Sequence, residues 1–467
     1  MNHEEISTVL FACGAFFGVY LLFRYFFVGF GLEFPFLLRP SRTSLITAIT
    51  FLVVYTLMTL VYGGMDIGKK KGRPIALTFV AKLLPTDLLA HLFLCIMNVT
   101  VVNGGRFVYE SPWVLVCVYV VQVLVTTALA YFGNDLYFHF TPPSRCLVIA
   151  GVGQDASGLV QRIGKLKKQY RVVKILHTDA PDLLGEIDQV DGVFFYNVSP
   201  KRRAMLIEYC FQVQKNIYHS IEIQDVVGVG SCCVNFGDMP IMAYQVKSLS
   251  MEQRIFKRLL DLSVSALVLL VASPFMLITA LAIKLEDGGH VFYKQPRVTS
   301  NNKVFSVLKF RSMREGVGNI HRSASKDDDR ITRVGRVIRK FRIDELPQLI
   351  NILRGEMSLV GPRPEMVENV QKYTSQLPEF AYRHRVKAGL TGLAQIYGKY
   401  NTSPKDKLAM DLMYIERYSF WLDLKLILQT AMVLLSAEES TEEFVQEDPQ
   451  LQKDEQQQEE REEVSCL

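Results

Sequence analysis

Apolar residues gather into four long runs near the start of the chain: Ile6–Phe30, Ser44–Gly64, Leu77–Val102 and Pro112–Phe132. A helix needs roughly 20 such residues to cross a hydrocarbon core, so the pattern predicts a four-helix transmembrane region over residues 1–135. The first run is too long, and too soon followed by a second, to be a cleaved leader. The third carries Lys82, Pro85, Asp87 and His91. Those residues either face the interior of a bundle or mark a kinked partial span. Between the second and third runs lies Lys69-Lys70-Lys71-Gly72-Arg73, the densest basic loop, which the positive-inside bias assigns to the cytoplasm. An even number of crossings then returns everything after residue 135 to that side.

From Arg145 the pattern changes to short strands alternating with helices. Cys146–Gly151 reads as a strand, followed by Gly151-Val152-Gly153 with Gly158, a helix over Ala156–Gln169 and a strand over Arg171–His177. Further apolar runs at Gly192–Val198 and Ile217–Ile223 complete a Rossmann-like α/β domain over residues 145–250. The glycine pattern fits either a nucleotide site, with Asp179 as a candidate ribose-binding acid, or a tight strand-to-helix connection. A fifth apolar stretch, Asp261–Lys284, is entered by Lys257-Arg258 and broken by Ser273-Pro274. Proline removes a helix hydrogen bond and kinks the chain. The pattern alone leaves a re-entrant helix and a kinked full span equally open.

Composition sharpens this layout. Hydrophobic residues make up 49% of the 467 and charged ones 21%. Residues 437–467 hold twelve acids and two bases, so the acidic tail reads as disordered and the remaining chain is strongly basic. A basic body favours phosphates, nucleotides or lipid headgroups. A membrane-embedded chain with no nucleic-acid module argues against nucleic acid as a partner. The eight cysteines form no CxxC pair, which excludes a disulfide framework and a zinc site and fits a reducing compartment.

Residues 251–436 carry the candidate chemistry. In Arg330–Glu356, Ile331, Val334, Val337, Ile338 and Phe341 form one helical stripe, with Arg333, Arg336, Arg339 and Lys340 largely on other faces. Such a helix suits an anionic membrane surface, or packs on its own core as an ordinary surface helix. Asp344-Glu345-Leu346-Pro347 reads as a helix start, where a capping aspartate is ordinary. An ionised aspartate there can also attack phosphorus, and a neighbouring glutamate can hold Mg²⁺. Gly361-Pro362-Arg363-Pro364 is a rigid bend bearing a planar phosphate clamp. Lys309-Phe310-Arg311 adds two cations at a strand end. Gly389–Gln395 is a glycine-bounded loop suited to a base, ribose or sugar.

These stretches, in this order, resemble the bacterial sugar transferase family, the monotopic polyprenyl-phosphate glycosyl-1-phosphate transferases, in its large membrane-anchored branch. The resemblance covers Phe256–Thr430 and rests on Lys257-Arg258-Leu259-Leu260-Asp261, Ser273-Pro274, Phe292–Gln295 with Arg297, Lys309–Met313, Arg339–Leu349, Gly361–Pro364, Gly389–Gln395 and Leu422-Asp423-Leu424-Lys425. It implies a mixed α/β catalytic domain with a re-entrant membrane helix turned by Ser273-Pro274. It also implies that Asp344 is the nucleophile, forming a covalent phosphosugar as UMP leaves a UDP-sugar, and that Glu345 ligates Mg²⁺. Lys309, Arg311, Arg339, Gly361, Pro362, Arg363 and Gln395 would bind substrate. Lys257, Arg258, Asp261, Ser273 and Pro274 would be structural at the membrane, with Asp261 pairing with Lys257 or Arg258. The implied partners are a UDP-sugar donor, a polyprenyl phosphate acceptor, membrane lipids and a second copy of the chain. The implied setting is the cytoplasmic face of a bacterial inner membrane, at the start of capsule, exopolysaccharide or O-antigen synthesis. The sequence departs from the family at His290, at Ala388-Gly389 and at Thr299–Asn302, which concerns loop shape rather than the nucleophile.

Two rivals remain. A membrane-anchored nucleotide-sugar dehydratase would need a Tyr-x-x-x-Lys base, and the one match, Tyr170–Lys174, enters a predicted strand. A sensor or scaffold without chemistry would not need Asp344, Glu345 and Arg363 together.

Overall fold

The computed structural model describes residues 17–24, 41–63, 72–101, 106–107, 109, 112–244, 249–314, 330–398 and 402–435. Most of the first apolar run, the Lys69–Lys71 loop, His321 and the acidic tail lie outside the described residues. The chain divides into two compact units, Met1–Ser220 and Ile221–Leu467.

The first unit opens with helical residues 17–24, followed by α1 (Arg42–Tyr62), α2 (Gly72–Val101) and α3 (Pro112–Phe140). Those three labelled helices are long and apolar enough to cross a membrane. Phe23, Phe51, Phe79, Leu83, Leu94 and Val118 form their shared core. The polar residues of the third apolar run turn inward: Lys82, Asp87 and His91 are all buried, and Lys82 Nζ lies 3.8 Å from the Phe79 ring centroid. The bundle-interior reading of that run therefore holds.

After the bundle come β1 (Ser144–Ala150), α4 (Ser157–Gly164), β2 (Tyr170–His177), α5 (Leu183–Asp188), β3 (Gly192–Tyr196), α6 (Pro200–Gln212) and β4 (Asn216–His219). The four strands form one parallel sheet in the order β2-β1-β3-β4. Leu147 and Ile149 pack under α5 and α6 on one face, while Val148 and Ala150 meet Ala156 and Ile163 on the other. Both faces are covered, which is why β1 is apolar without alternation.

The second unit begins earlier than residue 251. α7 (Ile223–Val229) buries Val226 among Leu408, Leu412 and Ile415, and Tyr244 donates 2.7 Å to Glu416, so residues from 221 onward pack with the catalytic segment. A hairpin, β5 (Cys232–Phe236) and β6 (Met239–Ala243), lies between them. α8 (Met251–Asp287) is the 37-residue helix that contains Pro274. It leads to the antiparallel pair β7 (Phe292–Val298) and β8 (Val304–Phe310), then α9 (Arg333–Lys340), α10 (Gln348–Arg354) and β9 (Ser358–Val360). α11 (Val367–Gln376), β10 (Gly389–Thr391), α12 (Leu393–Tyr397), α13 (Pro404–Glu416) and α14 (Phe420–Leu435) complete it. β10 runs parallel to β9.

Both ends of α8 are fastened within this unit. Lys257, Asp261 and Ser265 are buried on the first arm, Thr279 and Ile283 on the second. No residue between 266 and 278 is buried, and Leu267, Leu270, Val271, Phe275, Leu277 and Ile278 are exposed there. A proline at 274 leaves the Leu270 carbonyl without its helical N–H donor. Ser273 Oγ supplies the missing bond, donating to Leu270 O at 2.8 Å.

Candidate active site

Two flanking elements present the Asp344-Glu345 pair. Thr332 caps α9 by accepting from Gly335 N, Ile331 is buried, and Ile338 packs with Ile283 and Phe310 while Val334 lies on the edge of that cluster. Val337 and Phe341 of the same predicted stripe remain exposed beside Arg333, Arg336 and Lys340. Arg342 then adopts a left-handed backbone (φ 57), which breaks the helix and starts a 3₁₀ turn over Ile343–Glu345. The ordinary helix begins only at Gln348, after Pro347. Asp344 is thus not a capping residue: it sits in the tight turn between two helices, half-buried, and makes no hydrogen bond among the described residues.

Its neighbour is paired twice through one oxygen. Lys309 Nζ donates to Glu345 Oε1 at 3.1 Å, and Arg363 Nη2 donates to the same oxygen at 3.3 Å. The Glu345 side chain is 16% exposed and that of Arg363 44% exposed, so the pair lies at the lip of the site. Burial alone would raise the Glu345 carboxyl, but Arg363, Lys309 and Arg342 outweigh it and hold its pKa at about 2. Asp344 moves the other way. Burial, then the Glu345 charge, raises it above the ordinary carboxylate value, against the pull of Lys309, Arg339 and Arg342. Adjacent carboxyls whose surroundings push their pKa values apart recur at functional sites.

The Gly361–Pro364 loop is held by its backbone. Gly361 N donates to Thr391 O at 2.8 Å and Gly389 N to Pro362 O at 2.8 Å. A Cβ on Gly361 would lie 2.4 Å from Lys387 O, so only glycine fits there. Arg383 Nη2 donates to Arg363 O at 2.8 Å, and Arg297 Nη1 to Pro364 O at 3.0 Å. Gln395 Nε2 donates 3.3 Å to Gly389 O and 3.3 Å to Leu390 O, bracing the loop beside it.

The sequence-derived residues thus separate into groups. Asp344, Glu345, Lys309, Arg339 and Arg363 converge on one site, with Gly361, Pro362 and Gln395 in its supporting loops. Arg311 instead pairs with Asp287 at the end of α8. The expected pairing of Asp261 with Lys257 or Arg258 is not formed. Lys257 Nζ bonds Asp423 Oδ2 (2.7 Å), Tyr414 OH (3.0 Å) and Val360 O (3.0 Å). Arg258 donates to the last carbonyls of α10, Ile352 O and Leu353 O. Asp261 Oδ1 accepts from Leu359 N and Ser358 Oγ. Buried partners on other elements outcompete a neighbour one helical turn away. On the second arm, Glu286 accepts from Arg333 N and Val334 N at the start of α9. The helix thereby grips both flanks of the Asp344 turn. Arg342, Arg383, Asp411 and Tyr414 are participants the sequence did not single out for this site, and Arg297 and Asp423 stood in its motifs without a role. The signal available for Asp423 was a lone acid in the otherwise apolar start of α14.

Tyr170 and Lys174, the only sequence match to a dehydratase base, both lie in β2, and the Tyr170 ring stacks edge-on against Phe194 and Tyr218. A strand separates positions i and i+4 by about 13 Å, so the two do not form a catalytic dyad.

The profile of the family described as "Bacterial sugar transferase" matches residues 252–437. A UDP-glucose:undecaprenyl-phosphate glucose-1-phosphate transferase of Caulobacter vibrioides is 42% identical over 189 residues, 39% of this chain and 70% of that one. The chain belongs to the bacterial sugar transferase family. Among other members, an undecaprenyl-phosphate glucose phosphotransferase of Komagataeibacter xylinus is 35% identical over 310 residues, 62% of this chain and 58% of that relative. A sugar transferase of Bacillus subtilis, described as uncharacterized, is 42% identical over 187 residues, 39% of this chain and 89% of its own length. The family match contains every residue of the site just described, from Lys257 to Asp423.

Proposed function

We propose that this sugar transferase moves a sugar-1-phosphate from a UDP-sugar to undecaprenyl phosphate at the cytoplasmic face of a bacterial inner membrane, releasing UMP. The product would start capsule, exopolysaccharide or O-antigen assembly. The observation that carries this reading is a half-buried carboxylate, Asp344, that has no hydrogen-bond partner among the described residues, beside a carboxylate paired with Lys309 and Arg363 and surrounded by Lys309, Arg339, Arg342 and Arg363. Such a ring of cations is matched to a diphosphate. The names of the relatives make UDP-glucose the first donor to try.

In the proposed reaction an Asp344 carboxylate oxygen attacks the β-phosphorus of the donor. The bond to the α-phosphate oxygen breaks, and UMP leaves with the electron pair. The aspartyl phosphosugar is then attacked at phosphorus by an oxygen of undecaprenyl phosphate. The acyl–phosphate bond breaks, and the carboxylate is regenerated. Lys309 and Arg363 hold Glu345 in place and face the donor phosphates, whose charge grows on the departing UMP. Arg339 and Arg342 favour the ionised Asp344.

Among the described residues no three acidic, histidine or cysteine side chains cluster as a complete cation site. Two adjacent carboxylates, Asp344 and Glu345, fit a hard cation that takes its remaining oxygens from substrate phosphates and water. Bound there, Mg²⁺ would neutralise diphosphate charge.

The fastening of both α8 arms in the catalytic unit, with a bare apolar stretch around Ser273-Pro274, supports a helix that dips into the bilayer and returns. Entry and exit on one face keep Asp344 with the cytoplasmic donor.

The test is transfer from radiolabelled UDP-glucose to undecaprenyl phosphate by the full chain in lipid nanodiscs. Asp344→Asn should abolish it. Incubation with donor alone should add one sugar-phosphate to the intact mass of the parent and nothing to the variant. An Asp344→Asn protein that transfers near the parent rate would overturn the assignment.

A further inference from the structure

The cations around Asp344 account for the donor phosphates, but one buried cation faces none of them. Arg383 lies in the 3₁₀ segment Pro378–Arg385, and its side chain is 2% exposed. One nitrogen, Nη2, reaches two oxygens: Asp411 Oδ2 on α13 at 2.8 Å and the backbone carbonyl of Arg363 at 2.8 Å. The guanidinium lies over the buried Phe380 ring, 4.8 Å from its centroid, and Glu365 Oε1 is 4.0 Å from Nη1. Asp411 is itself 1% exposed. A fully desolvated pair of this kind is costly to bury, and here it ends on the backbone of the one loop residue whose side chain reaches Glu345.

We infer that Arg383, held by Asp411, is a positioning residue that fixes the Arg363 carbonyl and thereby aims the Arg363 guanidinium at the donor diphosphate. The inference rests on the proposed function and extends it to a residue that touches no substrate. Every residue of the loop carries one backbone hydrogen bond: Gly361 through its N–H, Pro362, Arg363 and Pro364 through their carbonyls. At Arg363 the donor among the described residues is Arg383 alone. The Pro364 ring fixes one of the two bonds flanking the Arg363–Pro364 peptide, so once Arg383 is lost that peptide tilts only through rotation at Arg363, the residue that bears the side chain. That tilt swings a long side chain, and about 1 Å of misplacement is enough to cost roughly 100-fold in rate. A lysine in its place would lack the planar guanidinium that lies over the Phe380 ring. Asp411 keeps the guanidinium plane in register with the carbonyl.

The experiment is a two-by-two comparison of the parent, Arg363→Gln, Arg383→Gln and the double variant, as full chains in nanodiscs. UDP affinity is measured by calorimetry, transfer with UDP-glucose as donor, and melting temperature alongside. If Arg383 acts through Arg363, Arg383→Gln weakens UDP binding and slows the first half-reaction on the order of 10- to 100-fold in the parent background. It then adds less than about twofold once Arg363 is already glutamine, while lowering the melting temperature equally in both backgrounds. Asp411→Asn, which keeps the shape and removes the charge, should reproduce a smaller loss with the same dependence on Arg363. If Arg383→Gln does not fold, the Asp411→Asn pair carries the same comparison.

Losses that multiply in full across the two backgrounds, or an Arg383→Gln enzyme within twofold of the parent, would overturn the inference and leave the function standing. A parent that neither binds UDP nor transfers would sink the function and the inference with it.

Discussion

Two glycine-bearing loops follow buried parallel strands in this protein, and only one is surrounded by chemistry. The first, Gly151–Ala156, follows β1, and its glycine pattern fits either a nucleotide site or a tight connection. The second, Gly361–Pro364, follows β9. Their steric demands are alike: a Cβ on Gly151 would lie 2.2 Å from Asn197 O, and one on Gly361 2.4 Å from Lys387 O. Their charge settings are opposite. In the first, the carboxylate of Asp155 accepts from Ser157 N and Ser157 Oγ, so the start of α4 is already served by an acid of its own chain. In the second, Arg363 leaves the loop to meet Glu345 beside Lys309. Glycine spacing reports that backbones come close; the surrounding charge decides whether a phosphate is wanted there.

The largest expected difference between the two loops comes from adding one methyl group to each. Gly361→Ala should lower donor turnover at least about 100-fold, because the loop must shift to relieve the contact with Lys387 O and the shift is passed to Arg363. Gly151→Ala meets an equally hard backbone contact. Each variant should lose stability of about 1–3 kcal/mol, the usual range for overpacking. The Gly151→Ala protein, however, should keep its transfer rate once folded. Thermal melts and UDP-glucose transfer on the same samples decide this. A folded Gly151→Ala enzyme that has lost donor turnover would erase the distinction drawn between the loops.

How far the sequence reached follows the same division. Helices α1 to α3, the parallel strands and the long apolar stretch of α8 were legible because length and periodicity of apolar residues are local properties. Asp344, Glu345, Lys309, Arg339 and Arg363 were legible through the motifs that hold them and the family resemblance those motifs carry. What escaped were partners distant along the chain: Lys257 with Asp423, Asp261 with Leu359 N, Arg383 with the Arg363 carbonyl. A rule for neighbours one turn apart placed Asp261 against Lys257 or Arg258, and tertiary burial gave each a different partner. Arg383 sits in a basic run, Arg383-His384-Arg385. Nothing local distinguishes its buried guanidinium from its neighbours. The helix boundary at residue 344 was also misjudged, since only the left-handed Arg342 and Pro347 together delay α10 to Gln348.

A middle-sized effect concerns pH at the second loop. Asp344 must be ionised to attack, and its pKa lies above the ordinary carboxylate value through burial and the Glu345 charge. Adduct formation should therefore fall on the acid side at a pH higher than an unperturbed aspartate would give. Arg339→Gln removes a cation that favours the ionised form, so the acid limb should move further up. The stability consequence has the opposite sense for the two carboxyls. A carboxyl with a raised pKa makes the fold less stable as pH rises through that value, so Asp344→Asn should melt at or above the parent temperature near neutrality. Glu345, held at about 2, contributes stability that is present above its ordinary pKa and is lost only as the pH falls toward 2. A pH profile of the intact-mass adduct, with parallel melts, measures both. An acid limb unmoved by Arg339→Gln would remove that arginine from the field acting on Asp344.

The smallest effect lies at the first loop, and it tests the comparison from the other side. The Asp155 carboxyl is held below its ordinary range by the Ser157 hydroxyl and then by the Ser157 amide. Its contribution to stability is present above the ordinary aspartate pKa and fades as the pH falls through the lowered value. Asp155→Ala should thus lower the melting temperature slightly at neutral pH, and the difference from the parent should vanish in acid. Removing this carboxylate also exposes an amide at the start of α4, where helix geometry favours an anion. If the first loop is only a tight connection, inorganic phosphate will stabilise the variant no more than the parent. A phosphate-dependent rise in melting temperature confined to Asp155→Ala would mean that Asp155 occupies a latent phosphate cradle. The two loops would then differ in what fills them rather than in what they are built to hold.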